Sequence, residues 1–216
     1  MPSRQTVPTS RAPVGLPDPG ALVRVSRAYD TRGLEDILDA AFTGAGFEHV
    51  VDVWLMQAMA ELGVAWANGD LDVSQEHFVS AGVLRRLSAA FDAAGHARGG
   101  RHVVTGLAPG ATHEIATLAF STILRRVGLR VTYLGPDLPV ASWVQAVVTT
   151  HPDAVVIGAP RLEDTPAAEQ VVSALREAAP QLAIYVGGAG ATHEESLQGE
   201  TLAKAADWLA DSLVPA

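Results

Sequence analysis

The hydrophobic period of this chain changes once, across the Gly- and Arg-containing stretch from Gly95 to Arg101. Before that stretch, apolar residues recur at the spacing of a helix face. After it, short β-branched runs alternate with amphipathic helical stretches. A chain patterned this way must build a helical layer first and an α/β layer second.

In the first part, Leu34, Ile37, Leu38, Ala41 and Phe42 mark one helix face, which Gly44 and Gly46 end. Val50 to Ala67 repeats the signal through Val53, Trp54, Met56, Met59 and Val64, and Asn68-Gly69 stops it. Ser74 predicts the N-cap of a helix that carries His77, Phe78, Ala81, Leu84, Leu87 and Phe91. Joined by short loops, these segments predict an N-terminal four-helix bundle over residues 21–97. In the second part, strands are predicted at His102 to Thr105, Arg130 to Leu134, Ala154 to Gly158 and Ala183 to Val186. Between and after them, helices are predicted at Glu114 to Val127, Pro139 to Thr149, Pro166 to Ala178 and Leu202 to Leu213. The expectation is a flavodoxin- or Rossmann-like doubly wound parallel sheet over residues 101–216.

Composition narrows the functions. The chain has 216 residues, 48% of them hydrophobic, with 15 basic against 24 acidic residues and a net charge of −9. Such a balance argues against a general nucleic-acid surface, which needs clustered Lys and Arg. Cysteine is absent, so disulfides, thiolate zinc sites and cysteine nucleophiles are excluded. No apolar run approaches the roughly 18 residues of a membrane span. Residues 1–20, rich in Pro, Ser, Thr and Arg, read as a disordered leader without a secretory signal, in a cytoplasmic protein.

His113 is the residue with the most chemical promise. It follows the first predicted strand in Gly106-Leu107-Ala108-Pro109-Gly110-Ala111-Thr112-His113-Glu114, on the rim where open parallel sheets hold ligands. An imidazole there can ligate a metal or carry a proton. The pentapeptide Gly-Ala-Thr-His-Glu recurs at 190–194 after the last predicted strand. His193 is therefore a second candidate on the same rim.

A bundle ahead of a flavodoxin-like domain with a histidine after its first strand resembles the cobalamin-binding family. The family motif is Asp-x-His-x-x-Gly, then Ser-x-Leu, then Gly-Gly. Here the elements read Ala111-Thr112-His113-Glu114-Ile115-Ala116, Pro160-Arg161-Leu162 and Gly187-Gly188. The resemblance implies that His113 is the lower cobalt ligand and that Leu162, Gly187 and Gly188 line the buried corrinoid tail. The acid that normally holds the second imidazole nitrogen is replaced by Ala111, which implies weaker support for the ligand.

Trp66, nine residues, then Glu76-His77 resembles the signature of light-sensing, adenosylcobalamin-dependent repressors of carotenoid genes. Tyr133-Leu134-Gly135-Pro136-Asp137-Leu138-Pro139 is similar to the same family, and places Tyr133 and Gly135 among the cofactor-binding candidates. The resemblance implies that Trp66 packs on the upper adenosyl group and that Glu76 and His77 help hold it. It implies a non-enzymatic photoreceptor that signals through a homo-oligomer or a downstream signalling protein. In those repressors a winged-helix DNA-binding domain precedes the bundle, and its absence here implies no direct nucleic-acid contact. Their histidine after the signature Trp is Ala67 here, so a different upper arrangement is expected. Photocobilins resemble the same module and hold a bilin such as biliverdin beside cobalamin. Small residues at Ala65, Ala67 and Gly69 are compatible with that second chromophore.

Two other classes stand beside this reading: a corrinoid methyl carrier of a methyltransferase system, and a degenerate protein-interaction domain without cofactor. The bland readings are that Trp66 is bundle core, Trp54 with Met56 or Met59 is core, and His49, His96 and His102 are solvated. Asp70 and Asp72 read as turn residues, and Arg125-Arg126 as a solvated pair.

Overall fold

A computed structural model describes residues 15–95, 97, 99–191 and 195–214. The chain divides at Ala89/Ala90 into two compact units.

The first unit is helical: α1 (Ala21–Arg27), α2 (Thr31–Gly44), a long run from Phe47 to Ala67, and α5 (Val73–Ala93), whose last turns pass into the second unit. The long run comprises α3 (Phe47–His49), a π-helical segment (Val50–Leu55) and α4 (Met56–Ala67). Its buried stripe is Val50, Val51, Trp54, Leu55, Ala58 and Leu62, each large side chain contributing about 1.5–3 kcal/mol by burial. Contrary to the sequence expectation, this run is long and apolar enough to cross a membrane by length and composition, with mean hydropathy 1.3. Asp52, Gln57 and Glu61 interrupt it, and its apolar stripe is spent on the bundle core. The cap of α5 also differs from expectation. Asp72 accepts the Gln75 N–H at 2.9 Å and the Ser74 hydroxyl at 2.6 Å, so Asp72 is the capping residue and Ser74 supports it. Gly82 sits mid-helix in α5, where a Cβ would lie 2.6 Å from Leu34 Cδ2. The glycine makes room for the Leu34 side chain.

Asp18 lies within the stretch expected to be a disordered leader. Its carbonyl accepts the Ala21 N–H at 2.9 Å and its carboxylate pairs with Arg24 at 2.6 Å, so ordered chain begins before α1.

The second unit carries a parallel sheet in the order β2-β1-β3-β4: β1 (His102–Leu107), β2 (Arg130–Tyr133), β3 (Ala154–Gly158) and β4 (Ala183–Gly187). The helices are α6 (Ile115–Arg126), α7 (Val140–Thr150), α8 (Thr165–Ala178) and α9 (Leu202–Ser212). α7 packs with α8 and α6 with α9, so both faces of the sheet are covered. β1 and β3 are buried throughout, as expected of strands enclosed on both faces. Trp143, Val147, Val171 and Leu175 close one face against Val104, Leu107, Val155 and Ile157. Strand order reverses between β1 and β3, which makes the crevice beyond their carboxyl ends the ligand-binding position of such sheets.

Two bland readings are overturned. His102 is buried at the start of β1, with Nε2 2.9 Å from the Thr132 hydroxyl. Arg125 is half-buried rather than a freely solvated residue: its guanidinium donates to the Phe91 carbonyl at 2.9 Å and stacks 3.3 Å from the Phe91 ring centre.

Candidate functional site

The loop after β1 carries His113 to the crevice between β1 and β3. Its shape is fixed by neighbours rather than by His113 itself. Asp137 Oδ1 accepts the Gly110 N–H at 2.7 Å, and the Asp137 N–H reaches the Ala111 carbonyl at 2.9 Å. The Gly135 carbonyl accepts the Leu107 N–H at 3.0 Å. The Tyr133–Pro139 segment therefore clamps the histidine loop, and Asp137 is a positioning residue that the sequence left without a role.

His113 is exposed, and its Nε2 lies 2.7 Å from Nη2 of Arg161, on the loop after β3. Arginine has only donors, so Nε2 accepts and its lone pair is directed outward from the ring. Arg161 also reaches Glu163 at 2.7 Å through Nη1. Beside it Leu162 is 77% exposed, at the start of a short 3₁₀ turn, Leu162–Asp164. Ala111, in the position of the missing acid, is buried in the apolar core. Glu114, next to His113 in sequence, is engaged elsewhere: its Oε2 accepts the Tyr133 hydroxyl at 2.5 Å. Burial, aided by the Glu114 carboxylate, pushes the Tyr133 phenol well above its ordinary pKa, so it remains a donor.

The two glycines of the pair have different surroundings. At Gly188, φ is +108° and a Cβ would stand 2.3 Å from the Ala159 carbonyl oxygen. Its glycine is demanded by the protein's own backbone. Gly187 pairs with Gly158, and a Cβ there would meet only Leu197 at 3.8 Å, an ordinary contact. In the second copy of the pentapeptide, Thr192, His193 and Glu194 lie outside the described residues, as does His96.

In the bundle, Trp66 ends α4 and Glu76 and His77 stand in the first turns of α5, joined by the short loop from Asn68 to Asp72. Trp66 is 45% exposed, against the core reading, whereas Trp54 is fully buried, as expected. Glu76 accepts from the Ser80 hydroxyl, and its other oxygen lies 3.6 Å from His77 Nε2. His77 is exposed. These three residues share one end of the bundle, with an indole face and a carboxylate in surface positions. Among the described residues, no three His, Cys, Asp or Glu side chains come together as a metal-holding group.

A B12 binding domain family model matches residues 101–209, and a second B12 binding domain model matches residues 21–90. The HTH-type transcriptional repressor CarH of Myxococcus xanthus is 32% identical over 178 residues, covering 82% of this chain and 59% of CarH. The HTH-type transcriptional repressor CarA of the same organism is 35% identical over 158 residues, covering 72% of this chain and 52% of CarA. The chain thus spans a little over half the length of these curated relatives. The structure of the Methanosarcina barkeri monomethylamine corrinoid protein matches with a TM-score of 0.71 at 16% identity, over 90% of this chain and 95% of that one. At that identity the likeness concerns the fold.

Proposed function

This chain belongs to the B12 binding domain family, and from that membership we propose that it is a light-responsive sensory module built on adenosylcobalamin. The observation that carries the sensory reading is Trp66: an indole 45% exposed at the bundle end that also bears Glu76 and His77.

The donor set of the α/β unit fits a cobalt cofactor. A corrin ring brings four of its own nitrogens, so one protein imidazole with an unprotonated nitrogen is sufficient, and His113 Nε2, which accepts from Arg161, is such a nitrogen once that donor is displaced. When bound, the cofactor supplies a light-sensitive cobalt–carbon bond, and the protein supplies burial and orientation. The chain's own residues divide that work. His113 presents nitrogen from a loop held by Asp137. Leu162 offers apolar surface beside it, and Gly187 brings bare backbone to the same rim. Trp66 offers a flat face for adenine stacking, and Glu76 a carboxylate for ribose hydroxyls. Loss of the adenosyl contact would then bias a two-state conformational or association equilibrium. Biliverdin as second chromophore, a homo-oligomeric state and a downstream signalling partner extend this reading.

Protein loaded in the dark with adenosylcobalamin, alone and with biliverdin, is followed by absorption and size-exclusion chromatography before and after green and red illumination. A light-dependent corrinoid spectrum with a changed elution volume supports the module, and an added far-red band supports the bilin. A stable corrinoid spectrum that ignores light favours the methyl-carrier reading. Failure to retain any corrinoid overturns both.

A further inference from the structure

We propose that Arg161 is a built-in occupant of the cobalt-facing nitrogen of His113, so that cofactor loading is an exchange: the guanidinium leaves Nε2 and the metal takes its place. The proposal rests on the cobalamin reading above and goes beyond it, because it assigns a gating role to a residue of this chain that the family motif leaves unspecified.

The contact spans the crevice where ligands bind such sheets, from the loop after β1 to the loop after β3, at 2.7 Å. Because arginine only donates, the bond requires an unprotonated Nε2 and puts the ring proton on Nδ1. That is the tautomer a metal bound through Nε2 needs. Arg161 therefore keeps His113 in the ligand-ready state while blocking the ligand position.

Release is built in. Nη1 of Arg161 is already paired with the Glu163 carboxylate at 2.7 Å, so the guanidinium keeps a counter-charge when Nη2 lets go. The Arg161 backbone N–H is fixed by Asp164 Oδ2 at 2.8 Å, which leaves the side chain as the moving part. Its side chain is 44% exposed, and solvent-screened contacts of this type are weak enough to be displaced. The opposing effect is loss of ring orientation when Arg161 is removed. The loop backbone stays in place, because Asp137 holds it through Gly110 and Ala111 without Arg161.

The tests use Arg161→Met, which keeps the apolar stem and loses every donor, and Arg161→Lys. In cofactor-free protein, nitrogen NMR of the His113 ring should show Nδ1–H in the natural chain and a shift toward Nε2–H in Arg161→Met, with Arg161→Lys between them. An unchanged tautomer overturns the contact, and this readout needs no cofactor. Stopped-flow mixing with adenosylcobalamin in the dark should give His113-dependent binding about three- to ten-fold faster in Arg161→Met. In a His113→Ala background the same substitution should change nothing. Corrinoid uptake at equal rates with and without Arg161 overturns the exchange alone. No uptake by any of these proteins overturns the cobalamin reading and the exchange with it.

Discussion

Trp54 and Trp66 lie about three turns apart on one unbroken helical run and have opposite surroundings: Trp54 is fully buried and Trp66 is 45% exposed. Trp54 fills the bundle core with an indole N–H that has no hydrogen-bond partner. Trp54→Ala should therefore cost about 3–5 kcal/mol through the cavity it leaves. Trp54→Phe should cost less, since it also removes the unsatisfied donor. Trp66→Ala should cost clearly less than Trp54→Ala, because nearly half of its indole is already exposed, yet weaken retention of adenosylcobalamin. Denaturant unfolding of cofactor-free protein, with cofactor retention measured separately, checks all three.

The two glycines after β4 should respond differently to a methyl group. Gly188→Ala forces a left-handed residue and a 2.3 Å contact with the Ala159 oxygen, so a loss of more than about 2 kcal/mol is expected even without cofactor. Gly187→Ala meets only Leu197 at 3.8 Å and should be tolerated in cofactor-free protein. Thermal melts of both variants decide this, and equal destabilisation would contradict the assignment.

His102 makes stability depend on pH in one direction. Burial, with the Arg130 charge adding to it, lowers its pKa from 6.5, while the Thr150 backbone and Asp153 act the other way. A histidine held neutral in the folded state costs nothing above the unfolded pKa. As pH falls below 6.5 the unfolded chain takes up the proton first, and stability declines toward the folded pKa. Melting temperature should fall between pH 7 and about pH 5, and His102→Gln should flatten that part of the profile. A His102→Gln profile with the same slope would assign the decline to other groups.

The fold was legible where residue pattern and local chemistry agree. The strand at Ala154–Gly158 falls where its β-branched run predicts, and the other three begin as predicted and end within two residues of expectation. The π-helical segment Val50–Leu55 was not legible, because a single wide turn barely disturbs a helical period. At the site, the Pro109-Gly110 break after an apolar run placed His113 on the rim of the sheet. The partners of that loop were hidden. Asp137 reaches Gly110 across 27 residues and Arg161 reaches His113 across 48, and neither separation leaves a periodic trace. The same holds for buried His102 and half-buried Arg125, whose surroundings follow from what packs over them rather than from their position in the sequence.

The proposed sensory reading rests on His113 Nε2 as the protein ligand to cobalt. Electron paramagnetic resonance of protein loaded with cob(II)alamin measures that ligation directly, because an axial nitrogen splits the cobalt lines. With protein labelled by ¹⁵N at histidine, the triplet splitting should become a doublet, and His113→Ala should abolish that change. A triplet indifferent to the label would mean that the corrinoid's own base occupies the lower position, and would contradict the central claim.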